Sequence, residues 1–351
     1  MMVIKLKHYI IAIFVPHMGC PFQCVFCDQK KISGARDANP AEIIDNYLKT
    51  LDAKKQKKKV EVAFYGGSFT AIEKKRQIEL LALVKPYIMS GRVDNIRIST
   101  RPDFISLEVL DYLRRYGVSV IELGVQSLDD RVLELSGRGH DASCVYEAAR
   151  LIKEAKISLG IQLMPGLPGD TLDSILATMN KTIRIKPDFV RIYPTVVIKN
   201  TALHKQLKMK KYFPLALSDA VQICAKMYRE FINNHIQVIR MGLQATDLLE
   251  QEYVVQGPYH PSFGELVLNE VAYDLMAKQL RIVDYSCGYL KFIVPYRQLS
   301  IYLGQKRINL KKLRAAVPIE VNIVGSRELP KNQFQVSTDN RLVTCFQKYI
   351  R

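Results

Sequence analysis

Between Ile10 and Tyr193 six short apolar runs alternate with amphipathic stretches of helical period, and each run stops at a glycine, a proline or a hydroxyl residue. This alternation constrains the fold more than any composition figure. Apolar, β-branched runs of strand length with helices between them read as parallel βα units in a sheet covered on both faces. The expected strands are Ile10–Val15, Val60–Tyr65, Ile96–Ser99, Ser119–Leu123, Ile157–Met164 and Phe189–Tyr193. The first intervening helix, Pro40–Lys54, has Asn39 as its N-cap and Pro40 at its first position. Glu73–Met89 is expected to kink or end early at Pro86. Leu107–Tyr116 closes on Gly117, and Cys144–Ala155 and Leu172–Ile185 complete the set.

Further helices are expected over Ser218–His235 and Phe263–Leu280, with a strand at Ile236–Arg240. From Arg281 the texture changes to short alternating runs, Arg281–Tyr285, Tyr289–Val294 and Ile319–Val324. They predict a small C-terminal α+β appendage. The expected organisation is therefore a core over residues 1–278 and a subdomain over 279–351.

Parallel βα folds gather functional groups at the carboxyl ends of their strands. The unusual residues of this chain lie there. Cys20, Cys24 and Cys27 follow the first strand in the order C-x3-C-x2-C, Gly66-Gly67-Ser68 the second, Ser99-Thr100-Arg101 the third, Gln126 the fourth and Pro165-Gly166 the fifth. Three thiolates this close can ligate a metal. A cubane iron–sulfur cluster held by three cysteines leaves one iron open to an outside molecule. Structural zinc in a Cys3His set, with His17 as fourth ligand, is the competing reading. Cys144, Cys224, Cys287 and Cys345 form no second tight pair and read as buried thiols.

Seven cysteines in no paired framework argue against a secreted disulfide protein. The apolar run before Pro16 is too short to span a bilayer and lacks a small-residue cleavage site. No membrane association is expected, and the cytoplasm is the default compartment. With 51 Lys and Arg against 34 Asp and Glu, the net charge of +17 favours polyanionic partners. Basic clusters at Lys205–Lys211 and Lys306–Arg314 could track a phosphate backbone or be solvated surface, and the lysine run Lys54–Lys59 reads as a solvated helix end.

Taken together these motifs resemble the radical S-adenosylmethionine (SAM) superfamily. The cysteine loop, with Phe26 before its last cysteine, matches that superfamily's cluster motif, and Gly66-Gly67-Ser68 resembles its Gly-Gly-Glu segment, with Ser68 where an acidic residue is usual. A closer resemblance is to the radical SAM domain of the catalytic subunit of Elongator. It is carried by Ile98-Ser99-Thr100-Arg101-Pro102-Asp103, Leu123-Gly124-Val125-Gln126-Ser127, Arg138-Gly139-His140, Met164-Pro165-Gly166-Leu167-Pro168 and Ile192-Tyr193-Pro194-Thr195. Oxygen-independent coproporphyrinogen oxidases share several of these patterns.

The resemblance implies an α/β fold, a partial (β/α)6 TIM-type barrel of the radical SAM class with a small C-terminal α+β cap. It implies a 4Fe–4S cluster on Cys20, Cys24 and Cys27, which are both metal ligands and catalytic, and bound SAM. Gly66, Gly67, Ser68, Ser99, Gln126, Arg138 and Gln162 are the candidate SAM contacts. Arg138 is the candidate for the SAM carboxylate, since a guanidinium fork suits it; capping a helix or pairing with Asp141 are its alternatives. His140 reads as a packing residue, and Tyr193 and Tyr259 as core or rim aromatics.

The implied activity is reductive cleavage of SAM to a 5′-deoxyadenosyl radical, with tRNA or other RNA as substrate and flavodoxin or ferredoxin as electron donor. After the appendage no room is expected for the Elongator subunit's acetyltransferase domain, so a separate acyltransferase is an expected partner. A small-molecule substrate such as a tetrapyrrole, and a non-catalytic metal-stabilised RNA-binding module, are the alternatives.

Overall fold

The computed structural model describes residues 7–15, 20–28, 39–52, 58–243, 253–281, 288–339 and 341–350. The chain divides into two compact units, residues 1–215 with 244–258, and residues 216–243 with 259–351.

In the first unit the strands are β1 (Lys7–Phe14), β2 (Lys58–Tyr65), β3 (Asn95–Thr100), β4 (Val118–Gln126), β5 (Ser158–Leu163) and β6 (Phe189–Ile192). They pair in parallel and in chain order, and β1 and β6 are not neighbours, so the sheet is an open, partial barrel. Ile11, Val62, Ile98, Ile121, Leu159 and Val190 are each fully buried and anchor the sheet under its helices.

Local chemistry accounts for the helix ends. Asn39 Oδ1 accepts from the Ala41 N–H at 3.0 Å at the start of Pro40–Asp52. Thr171 and Ser174 form a capping box at Leu172–Ile185. Pro86 neither ends nor interrupts the helix Lys74–Met89. Ala82 and Pro86 lie on its exposed side, so the carbonyl that Pro86 cannot engage faces water. The sequence also hid the helix Asp130–Leu135, capped by Asp129. Strand β4 runs three residues past Leu123, where its end was expected. A register shift between Gly124 and Gln126 carries it on, and Gln126 adopts a φ of +70°.

The second unit holds the helices Leu217–Asn233 and Phe263–Leu280, the strand Gln237–Met241 and a four-stranded sheet. The sheet order is Glu320–Ser326, Tyr289–Pro295, Gln333–Ser337, Leu342–Phe346, the first pair parallel and the others antiparallel. Phe292, Phe334, Tyr302 and Met276 form its core. The last two strands were not expected. The run Arg281–Tyr285 lies, beyond Arg281, outside the described residues, as do residues 54–57 of the lysine run. Among the described residues no helix is long and apolar enough to cross a membrane.

Candidate functional site

The cysteine loop leaves the carboxyl end of β1 and is held by its backbone. The Val25 N–H donates to Ser136 O at 3.0 Å, the Leu203 N–H to Val25 O at 2.7 Å, and the Cys27 N–H to Cys24 O at 3.1 Å. Phe26 packs under the loop with Val132, Leu167, Val197, Leu203 and Tyr212. Phe22 covers the Arg101 guanidinium at 4.7 Å. It also lies against Gly139, where an added Cβ would meet its ring at 2.5 Å.

Arg138 is buried beside this loop. Its Nη1 donates to the Cys24 thiol at 3.2 Å, and its Nη2 to Gly124 O and, at 3.2 Å, to His140 Nε2. Since a guanidinium only donates, His140 accepts at Nε2, and its Nδ1–H donates to Asp141 O at 3.1 Å. Burial, and next the Arg138 charge, lower His140 to about 4, so it is neutral near pH 7. His140 thus orients Arg138. Arg138 neither caps a helix nor pairs with Asp141, whose side chain caps Ala142–Glu154. Arg101 completes the frame, with a two-point ion pair to Asp103 and a 2.5 Å hydrogen bond to Arg138 O. Arg138 Nε is buried with no partner among the described residues.

Two of the three thiols are held in their neutral form more firmly than a free cysteine. Burial pushes the Cys20 thiol up, against a hydrogen bond from the Ser68 backbone N–H, and Cys24 pushes it further. Burial, then Cys24 and Cys20, raise Cys27 to about 12. Three neighbouring, half-buried thiolates need a compensating positive charge, which a bound metal cluster would supply. The donor set therefore fits such a group. Among the described residues no three His, Cys, Asp or Glu side chains converge on a point that would seat one metal ion. Cluster ligands need not converge, because each thiolate binds a different iron. His17, the fourth ligand of the zinc reading, lies outside the described residues.

Several expected SAM contacts meet at the same end of the sheet. Gln162 Nε2 donates to Gln126 Oε1 at 3.1 Å. An added Cβ on Gly124 would lie 3.1 Å from Gln126 Nε2 and 3.8 Å from Arg138 Nη2, so this glycine keeps the corner open. Gly66 and Gly67 turn the chain after β2 with φ of +84° and +126°. Ser99 is half-buried, opposite Glu122 in the register of β3 and β4. Ser68 is different. It is fully buried, its Oγ lies 2.9 Å from Thr100 Oγ1, and it accepts from the Arg101 N–H at 3.3 Å. Its hydroxyl ties two loops together, while its backbone N–H serves Cys20.

Sequence reasoning missed the polar interior of the sheet. Arg97 donates from Nε and Nη2 to Glu61 Oε2 at 3.0 and 2.7 Å, and from Nη1 to Glu122 Oε1 at 2.7 Å. Arg191 donates from Nη2 to Glu122 Oε1 at 3.0 Å and to the Tyr65 hydroxyl at 2.9 Å, and from Nη1 to the Tyr193 hydroxyl at 3.0 Å. Gly160 leaves room for Phe189, whose ring lies 5.0 Å from the Arg97 guanidinium. A signal existed: Glu61, Arg97, Glu122 and Arg191 each put one charge in a run predicted to be buried. Buried charges demand partners. Of the remaining thiols, Cys224 is buried, Cys144 and Cys345 are partly exposed against expectation, and Cys287 lies outside the described residues.

A tRNA uridine(34) acetyltransferase of Methanocaldococcus infernus is 34% identical over 130 residues, 36% of this chain and 24% of that protein. Elongator complex protein 3 of Homo sapiens is 27% identical over 190 residues, 48% of this chain and 35% of that protein. The chain thus spans about a quarter to a third of these relatives' length. The solved archaeal Elp3 of M. infernus with an N-terminal deletion superposes with a TM-score of 0.62 at 22% identity, over 78% of this chain and 64% of that one, and shares the fold. Radical SAM proteins use a 4Fe–4S cluster and SAM as cofactors. Residues 14–182 match the radical SAM superfamily and residues 187–273 the radical SAM C-terminal domain, and the chain belongs to that superfamily.

Proposed function

We propose that this chain is a cytoplasmic radical SAM enzyme that modifies tRNA, with Cys20, Cys24 and Cys27 as its cluster ligands. The observation that carries the reading is the loop of three half-buried cysteines after β1 with the Arg138 guanidinium on Cys24. A bound 4Fe–4S cluster would supply the electron that splits the SAM sulfonium and yields a 5′-deoxyadenosyl radical. The protein's part is position and shelter. Arg138, held by His140 and Gly124, would turn its unpartnered Nε to the SAM carboxylate. The carbonyls of the Gly66-Gly67 turn would accept from the ammonium group, and Gln126 with Gln162 would line the ribose side. Ser99 would add a contact from the end of β3, and Ser68 would act through its backbone. A tRNA substrate is supported by the activity that names the acetyltransferase relatives and by the net charge of +17. An electron donor and a separate acyltransferase are the proposed partners.

Anaerobically reconstituted protein should hold about four irons per chain. With SAM and reductant it should release 5′-deoxyadenosine. Cys20→Ala, Cys24→Ala or Cys27→Ala should abolish that release. Stoichiometric zinc with no iron uptake, or full release from a cysteine variant, would refute the site. The nucleoside profile of a deletion strain names the substrate: loss of a tRNA modification supports the reading, and an unchanged profile opposes it.

A further inference from the structure

From Phe189 to Ser218 the chain carries no carboxylate, yet it carries Arg191, Lys199, Lys205, Lys208, Lys210 and Lys211. Lys205, Lys208, Lys210 and Lys211 are exposed, and none forms an ion pair among the described residues. Met209 and Phe213 stand among them, 64% and 71% exposed. Solvated lysine runs on helix ends do not ordinarily display a large aromatic ring. A basic strip with an exposed ring is the surface that single-stranded nucleic acid uses, phosphates on the cations and a base on the ring.

The strip is built against the cysteine loop. Leu203, in the helix Ala202–Lys208, donates its N–H to Val25 O, and Leu203 and Tyr212 pack with Phe26. Beyond the helix the chain turns at Lys210, whose φ is +57°, and the Lys211 N–H returns to Gln206 O at 2.9 Å. The Tyr212 hydroxyl donates to Gly166 O at 2.6 Å, and Leu215 covers Gly166. The lysines and Phe213 are therefore displayed from a fixed backbone, which lowers the ordering cost of binding. Their field is felt locally. Burial, then Lys208 and Lys199, lower His204.

We propose that Lys205, Lys208, Lys210, Lys211 and Phe213 form the surface on which a single-stranded segment of the RNA substrate docks beside the cysteine loop. The inference rests on the tRNA reading above. The test uses full-length, cluster-loaded protein and unmodified tRNA, titrated over a range of KCl. In Lys208→Ala/Lys210→Ala/Lys211→Ala the slope of log affinity against log salt should shrink by about two, since each phosphate contact contributes about 0.7–0.9. Phe213→Ala should weaken binding about tenfold with the slope unchanged, as loss of one stacked base would. Release of 5′-deoxyadenosine driven by a chemical reductant should stay at the wild-type rate in both variants, which shows that each is folded and loaded.

If the wild type binds tRNA and the variants bind it equally, this surface is wrong and the tRNA reading stands. If the wild type binds tRNA no better than a control polyanion, the tRNA reading itself falls. If the triple variant keeps tRNA affinity but loses reduction by flavodoxin, the strip docks an acidic electron donor, and the RNA assignment is overturned.

Discussion

Arg97→Met gives the most quantitative test of the polar interior. Arg97 faces two carboxylates, but their losses differ. Glu122 keeps Arg191, whereas Glu61 keeps, among the described residues, Lys59 and His8, each at 3.0 Å and each about 40% exposed. Two routes give the cost. Removing one partner of a buried ion pair destabilises by about 3–5 kcal/mol. Burial pushes Glu61 up, but the Arg97 charge and hydrogen bonds, helped by Lys59 and His8, outweigh it and hold the carboxyl at about 2, against 4.5. A gap of that size corresponds to about 3 kcal/mol of native-state stabilisation. The melting midpoint of cluster-free protein at pH 7 should therefore fall by about 6 °C.

The pH dependence has a definite sign. Because the folded pKa of Glu61 lies below its unfolded value, its contribution is present above about pH 4.5 and is lost as pH falls toward 2. In Arg97→Met the carboxyl loses the Arg97 share of that depression, so the deficit against wild type should narrow from pH 7 to pH 4. Glu61→Leu added to Arg97→Met removes the stranded charge and should recover most of the loss. A single variant within about 1 kcal/mol of wild type, or a double variant no better than the single, would refute the ion-pair account.

Two further predictions concern the loop. Arg138→Ala should weaken SAM binding while iron content stays near wild type, because the loop backbone is held elsewhere. Equal SAM affinity by equilibrium dialysis would show that Arg138 does not meet the ligand. Gly139→Ala places a methyl within 2.5 Å of the Phe22 ring at a φ of +70°, so Phe22 must leave Arg101. Iron retention under a chelator should then fall several-fold, and unaltered retention would mean that the Phe22–Arg101 stack does not hold the loop.

Much of the fold was legible because parallel strands buried on both faces have an unmistakable pattern, and Asn39, Gly117 and Thr171 mark their elements locally. What stayed hidden is non-local. Gln126 takes a left-handed conformation that its residue type does not announce, and only the shift in pairing with β5 shows why β4 outruns Leu123. Ser68 sat where a ligand contact was expected, but its hydroxyl is spent on Thr100 and the Arg101 N–H, partners about thirty residues away. His140 looked like packing, since its role exists only through Arg138. The strands Gln333–Ser337 and Leu342–Phe346 were missed because only one face of the first is buried and the second has no buried residue.

The backbone bonds on either side of Val25 bear on how the enzyme matures. In a small zinc domain the metal does the folding, and apoprotein is unfolded protein. Here residues 20–28 are clasped at Ser136 and Leu203 by groups that no metal supplies. Iron insertion thus meets a receptacle already shaped by the barrel. Oxidative loss of the cluster becomes a repairable injury, separate from the life and death of the fold.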